Sequence, residues 1–268
     1  MVKLNPLTWW RRFLRLPNES RMKTLLIALF VALGSAVAVS VTAVTLKPLQ
    51  QANMERQRQA KMETMLATLP GMADLLRAAN GDFLETVIVD LRSARIALNM
   101  DPGVYDFRAA MSDPQSSTPL ARDIDSAGLG NLPYFMPVYI LRRNDALALV
   151  VLPVYGSGYQ STIHAYLALR GDLNTVAALQ IYEQGETPGL GARIADPQWQ
   201  ALWPGREIAD HDGIIRLSVA SGGATNQFEV DGITGATRST TGVTKLVQFW
   251  LGDHGFGPFL SRLKAGEI

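Results

Sequence analysis

Residues 137–182 read PVYILRRNDALALVVLPVYGSGYQSTIHAYLALRGDLNTVAALQIY. The apolar runs at 138–141 and 147–154 flank Asn144-Asp145, and those at 163–169 and 176–182 flank Gly171-Asp172. Runs of roughly 4–8 residues rich in β-branched and aromatic side chains, bounded by Asn, Asp and Gly, read as strands joined by tight hairpins. This stretch therefore predicts antiparallel strands in sequence order. Downstream, 214–219 and 227–230 read as further strands. Asp196-Pro197 starts a helix, with Asp196 as N-cap and Pro197 at the first helical position. A longer helix is expected over 239–251, where Val243, Leu246, Val247 and Trp250 share one face and Gly252 is a C-cap candidate. Antiparallel strands with flanking helices define an α+β domain. The regular strand–helix alternation of a dinucleotide-binding fold is missing.

Upstream the texture changes. Residues 86–91 alternate like a strand, whereas 101–133 read as loop, with Pro102, Pro114, Pro119 and Pro133. Residues 24–46 (TLLIALFVALGSAVAVSVTAVTL) carry no charge, and at ~1.5 Å rise per residue they span a hydrocarbon core of ~30 Å. The run exceeds the ~7–15 residues of a signal-peptide core. The reading is a retained anchor in the lipid, with a cleaved signal as the alternative. Lys3, Arg11, Arg12, Arg15, Arg21 and Lys23 precede the span. The positive-inside rule then puts the N-terminus in the cytoplasm and the bulk of the chain on the far side, the periplasm of a Gram-negative cell. Residues 49–69 are rich in helix formers, carry Met54, Met62, Met65, Leu66 and Leu69 as an apolar stripe, and stop at Pro70-Gly71. A short second helix is expected over 72–79. The expected layout is a basic N-terminus (1–23), a single transmembrane helix (24–46), a helical stalk (47–80), a membrane-proximal part (81–143) and the strand-rich domain with its C-terminal helix (144–268).

Across the 268 residues, 25 basic side chains nearly balance 24 acidic ones, which gives no electrostatic case for nucleic acid. Cysteine is absent, so disulfides, thiolate zinc sites and ordinary iron–sulfur clusters are excluded within the chain. A span without ionisable residues conducts no ions alone, so any ion transport requires partner subunits.

Two loops carry the chemistry. Asp231-Gly-Ile-Thr-Gly-Ala-Thr237 lies between a strand and the 239–251 helix. Free amides at a helix start favour an anion. Gly232 and Gly235 permit unusual backbone conformations, Ala236 keeps the loop slim, and Arg238 adds a cation. Asp231 is a candidate cap, or a metal-assisting group during modification. The loop reads as a phosphate site with a threonine hydroxyl in it, or as an ordinary capped turn. The second loop, Gly185-Glu186-Thr187-Pro188-Gly189-Leu190-Gly191, combines a stiff backbone with polar Glu186 and Thr187 and apolar Leu190, the mixture that a flat ring with polar edges needs. The alternative is a plain β-turn. A third candidate, Tyr155-Gly-Ser-Gly158-Tyr159, exposes backbone between two aromatics.

These residues carry a family resemblance. Asp231, Thr234, Gly235, Ala236 and Thr237 match the Asp-x-x-Ser/Thr-Gly-Ala-Thr pattern of FMN-binding domains modified by a flavin transferase, and Glu186, Thr187, Gly189, Leu190 and Gly191 resemble the family's other signature loop. The ending FWLGDHGFGPFL (249–260) and LKPLQQAN (46–53) resemble the C subunit of the sodium-translocating NADH:quinone oxidoreductases. The resemblance implies FMN joined through a phosphoester to Thr237, with the other residues of both loops shaping its site. It also implies an electron-carrier subunit in the bacterial inner membrane, within a complex that oxidises NADH, reduces ubiquinone and exports sodium. This chain itself would bind neither NADH nor sodium. Its partners would be the other subunits and the flavin transferase. Two alternatives stay open: the G subunit of the related Rnf electron-transport complex, and a membrane-anchored FMN-binding sensor or assembly module.

The remaining chemistry-bearing residues give weaker signals. His164, His211 and His254 have no metal-ligand spacing, and Ser161 and Ser239 lack a nucleophile-elbow context. Trp199, Trp203 and Trp250 are expected in the core on helices. Phe256 and Phe259 are expected to dock on the domain or on a partner.

Overall fold

A computed structural model describes residues 21–68 and 84–268, apart from 103, 144 and 145. The expected turn at Asn144-Asp145, the helix over 72–79, the Pro70-Gly71 stop and nearly all of the basic N-terminus lie outside the described residues. The chain divides into two compact units, one up to Gln59 and one from Ala60 to Ile268.

Helix α1 (Arg21–Thr68) supplies the described part of the first unit, residues 21–59, and continues unbroken through the apolar run. Its segment Lys23–Lys47 covers 25 residues with a mean hydropathy of 2.4, and Leu25, Val39 and Val44 on it are exposed. An apolar surface open on a single helix has no core to enter, so its burial requires lipid or a partner.

In the second unit β1 (Leu84–Asp90) and β2 (Arg95–Ile96) are followed by the short helix α2 (Phe107–Ser112) and by β3 (Ser117–Pro119) and β4 (Asn131–Pro133), which pair with each other. The long strands are β5 (Phe135–Arg143), β6 (Ala146–Ser157), β7 (Thr162–Arg170) and β8 (Val176–Glu183). With β1 and β2 they form a six-stranded antiparallel sheet in the order β2-β1-β5-β6-β7-β8. The hairpin reading of 137–182 thus holds strand for strand. The sequence reading sets 86–91 apart as a membrane-proximal strand. In the fold, β1 pairs with β5 from Leu84 opposite Leu141 to Asp90 opposite Phe135, inside the same sheet.

Residues 149–156 of β6 and 163–169 of β7 are all buried. A strand covered on both faces loses the polar–apolar alternation of a half-exposed one, which accounts for the continuous apolar runs in the sequence. One face carries the main core around Leu152, Leu167, Val243 and Trp250; the other carries a smaller cluster around Val151, Tyr166 and Tyr182.

After β8 come a 3₁₀ turn (Gly191–Ala195), the four-residue helix α3 (Pro197–Gln200), the short parallel pair β9 (Ser218–Val219) and β10 (Glu229–Val230), and helices α4 (Thr237–Leu251) and α5 (Gly257–Lys264). The expected stripe on α4 is realised, with Val243, Leu246, Val247 and Trp250 fully buried and Gly252 at the C-cap. The strands expected at 214–219 and 227–230 shrink to two residues each. Asp196 precedes Pro197 as expected, but its side chain does not cap α3 and lies 3.8 Å from Arg193 instead. Trp199 and Trp250 sit on helices, whereas Trp203 is in the turn after α3; all three are buried, as are Phe256 and Phe259.

Candidate functional site

At one end of the sheet, three separated segments meet around a cleft of about 280 Å³: the β6–β7 turn with Tyr159, the loop after β8 with Thr187, Leu190 and Gly191, and the start of α4 with Gly235, Ala236, Thr237, Arg238 and Ser239. The two loops singled out in the sequence are therefore brought together, and the third candidate joins them through Tyr159. Tyr155 is buried beneath, its backbone oxygen accepting a 2.7 Å bond from the Trp250 indole.

The attachment loop is held from outside the cleft. Asp231 accepts from the Ala224 amide at 2.6 Å with its carboxylate and from the Trp199 indole at 2.8 Å with its backbone oxygen. Gly232 packs against a backbone so closely that a Cβ there would collide with the Ala220 carbonyl oxygen. Gly235 has φ +81°, a left-handed conformation that an L side chain adopts only with strain. The chain thereby turns sharply into α4, whose N-cap Ala236 supplies no side-chain hydrogen bond. The first amides of a helix have no intrahelical acceptor, so this uncapped start presents free donors and the positive end of the helix dipole.

Thr237, Arg238 and Thr234 are exposed, while Ser239 and Thr240 are buried. The buried hydroxyls are engaged: Thr240 donates to the carbonyls of Ala236 and Thr237 at 3.2 and 3.0 Å, and Ser239 donates to Glu186 at 2.5 Å. Thr237 carries an exposed aliphatic hydroxyl that lines the cleft. The Arg238 guanidinium lies 4.2 Å from the Tyr159 ring centre, a cation–π contact that holds a positive charge beside the opening. Leu190 and Tyr159, each about half exposed, offer apolar surface.

The sequence reading gives Glu186 a polar edge toward a ring. In the structure its carboxylate is buried and accepts from the amides of Tyr159, Gln160 and Ser161 at 3.1, 2.9 and 3.1 Å and from the hydroxyls of Ser161 and Ser239 at 3.3 and 2.5 Å. Burial alone pushes this carboxyl up, but the Ser239 hydroxyl and the three amides outweigh it and hold the group below its ordinary value. Glu186, Gly189, Asp231 and Thr234 thus lie outside the cleft lining, around it. Ser239 is the lining residue that the sequence reading set aside, for want of a nucleophile-elbow context; the signal for Tyr159 was an aromatic beside a glycine turn.

An uncapped helix start, an exposed hydroxyl, a nearby guanidinium and flanking apolar surface suit a phosphorylated ring compound. Residues 158–252 match the model of the FMN-binding domain, which contains every segment that lines the cleft. The chain is 38% identical over 258 residues to the C subunit of the Na(+)-translocating NADH-quinone reductase of Pseudomonas aeruginosa, covering 93% of this chain and 98% of that protein. It is 36% identical over 250 residues to the protein of the same name from Pasteurella multocida, covering 91% and 95%. The crystal structure of Shewanella oneidensis NqrC superposes with a TM-score of 0.65 at 30% identity, over 72% of this chain and 88% of that one. The chain belongs to the family of C subunits of the Na(+)-translocating NADH-quinone reductases. That membership sets aside the Rnf alternative.

Proposed function

We propose that Thr237 is the attachment point of FMN, through a phosphoester at its hydroxyl oxygen, and that the chain is an electron-carrier subunit of a membrane complex that oxidises NADH, reduces ubiquinone and exports sodium. The observation that carries this reading is the Thr237 hydroxyl, exposed in the cleft at a helix start that no side chain caps. The free amides of α4 and Arg238 would hold the phosphate; Tyr159, Thr187 and Leu190 would flank the ring; Asp231, Thr234, Gly235 and Ala236 shape the loop, and Glu186, Gly189 and Gly191 its neighbour. When bound, FMN supplies the gain and loss of electrons, and the protein sets its position and surroundings.

At about 280 Å³ the cleft lies at the lower edge of the ~300–1,000 Å³ usual for ligand pockets. A flavin transferase would make the covalent bond. The apolar helix supports a single membrane span, and the basic residues before it support a cytoplasmic N-terminus with the FMN domain in the periplasm. There a lost cofactor could not be replaced readily, which also favours a covalent link.

The test is a denaturing gel of the protein made in cells that contain the flavin transferase. A fluorescent wild-type band beside a dark Thr237→Ala band is the expected result. A dark wild-type band would overturn the covalent reading, and a fluorescent mutant would move the attachment to another hydroxyl. Co-purification with an NADH-oxidising, sodium-stimulated quinone reductase distinguishes the subunit from a solitary FMN-binding module.

A further inference from the structure

We infer that Glu186 is the positioning residue that assembles the attachment site. This rests on the reading of Thr237 above and adds the group that holds its surroundings together. The cleft-lining segments come from the β6–β7 turn, the loop after β8 and the first turn of α4, and the Glu186 carboxylate binds the first and third of these to the second. Three successive amides, at Tyr159, Gln160 and Ser161, point at its oxygens, which makes the turn an anion-binding nest. Ser161 adds its hydroxyl at 3.3 Å and accepts from the Gly185 amide at 2.6 Å, closing the turn onto the loop from the other side. Ser239, two residues after Thr237, supplies the link to α4.

The surrounding glycines are matched to this carboxylate. A Cβ at Gly158 would lie 2.5 Å from Glu186 Oε1, and one at Gly191 would lie 3.0 Å from Oε2 and collide with the Ser239 hydroxyl. Neither position has room for a side chain while the carboxylate stays in place. An ionised carboxylate suits this ring of donors because it is acceptor-only with about four lone-pair sites; the four shorter bonds match these, and the 3.3 Å bond from the Ser161 hydroxyl shares one. Removing it leaves three amides and two hydroxyls without their acceptor. It also frees Tyr159 and Thr237 to drift from the loop that carries Leu190.

Glu186 thus acts through Ser239 and the 159–161 amides. Its negative charge sits behind the cleft wall, one hydrogen bond from Ser239. Adding an electron near a buried anion is disfavoured, so neutralising Glu186 makes reduction of a bound flavin easier.

The experiment uses the full-length chain, produced with limiting flavin transferase and sampled over time. Its variants are Glu186→Ala, Glu186→Gln and Ser239→Ala. Its readouts are the flavin-bearing fraction by intact mass, the thermal midpoint, and the midpoint potential of the attached flavin. Glu186→Ala is expected to label at least about tenfold more slowly, the scale set by stranding one buried and several partly buried donors. Glu186→Gln keeps the shape and one carbonyl acceptor but turns its NH2 toward a backbone amide, so it should label faster than Glu186→Ala and more slowly than wild type while its flavin titrates at a higher potential. Ser239→Ala should slow labelling with the β6–β7 turn still clamped. A wild type without flavin overturns the Thr237 reading itself. A labelled wild type with Glu186→Ala and Ser239→Ala labelling at the same rate, and Glu186→Gln at an unshifted potential, overturns this inference alone. If Glu186→Ala does not fold, Glu186→Gln and Ser239→Ala decide the matter by the same criteria.

Discussion

Helices α2 and α4 begin in opposite ways. Asp106 caps α2 with one carboxylate oxygen that accepts from the amides of Arg108 and Ala109 at 3.0 and 3.2 Å. Helix α4 begins at Ala236, which has no such group, and places Arg238 in its first turn. An alanine N-cap is less favourable than an aspartate by about 1 kcal/mol, and a cation at a helix start has the wrong sign for the dipole. The six-residue α2, which packs through Phe107, Ala110 and Met111, has fewer core contacts and depends more on its cap. The fifteen-residue α4, which buries Val243, Leu246, Val247 and Trp250, is held by its core contacts and tolerates both faults. Each of these faults favours an anion at that point. The difference shows that a site can be marked by stabilising features withheld from one element and supplied to its counterpart.

That comparison can be broken at four places. The largest effect belongs to Thr237→Ala, which should abolish the covalent label while the thermal midpoint stays near wild type; intact mass and gel fluorescence read it directly. Next, Ala236→Asp gives α4 the cap that α2 has. Its carboxylate competes with phosphate for the same amides, worth about 1–2 kcal/mol, so labelling should slow by roughly tenfold in a protein that remains folded. Labelling at the wild-type rate would mean that those amides are not used. Asp106→Ala should cost about 1 kcal/mol in a denaturant titration yet leave the flavin content unchanged, since that cap serves stability only. Arg238→Gln should have the smallest effect on the fold, because the gain of about 0.3–1 kcal/mol from removing the ill-placed charge is offset by loss of the ~0.5–1 kcal/mol cation–π contact with Tyr159. Its labelling should nonetheless slow, and full labelling speed would refute a role for that charge.

Much of the fold was legible in the order of residues. Hairpin signals at 137–182 reappear as β5 to β8, because adjacent antiparallel strands are joined by their own turns and need no distant partner to set their order. The 243–250 stripe is equally local. Residues 86–91 were visible as a strand, but their pairing with β5 spans a long stretch, and nothing local specifies such a partner; within it, 101–133 reads as loop, whereas the fold forms α2, β3 and β4 there. The missing cap on α4 was only half visible. Ala236 stands in the sequence, yet neighbouring Asp231 remained available as a cap until the structure committed its carboxylate to the Ala224 amide. For Glu186, a polar residue in a glycine-rich loop reads as a ligand group, because burial and five hydrogen-bond partners have no one-dimensional signature.

Sequence alone determined what composition and short-range chemistry control. An uncharged run long enough to span a bilayer, a series of strands joined by turns, and a threonine placed at a helix start are properties of neighbouring residues. Tertiary structure decided which hydroxyl stays exposed, which carboxylate turns inward and which three segments share a cleft. Those outcomes depend on groups brought together from positions near 159, 187 and 237. Burial and hydrogen-bond saturation are properties of that assembled neighbourhood and exist only once the sheet has closed it.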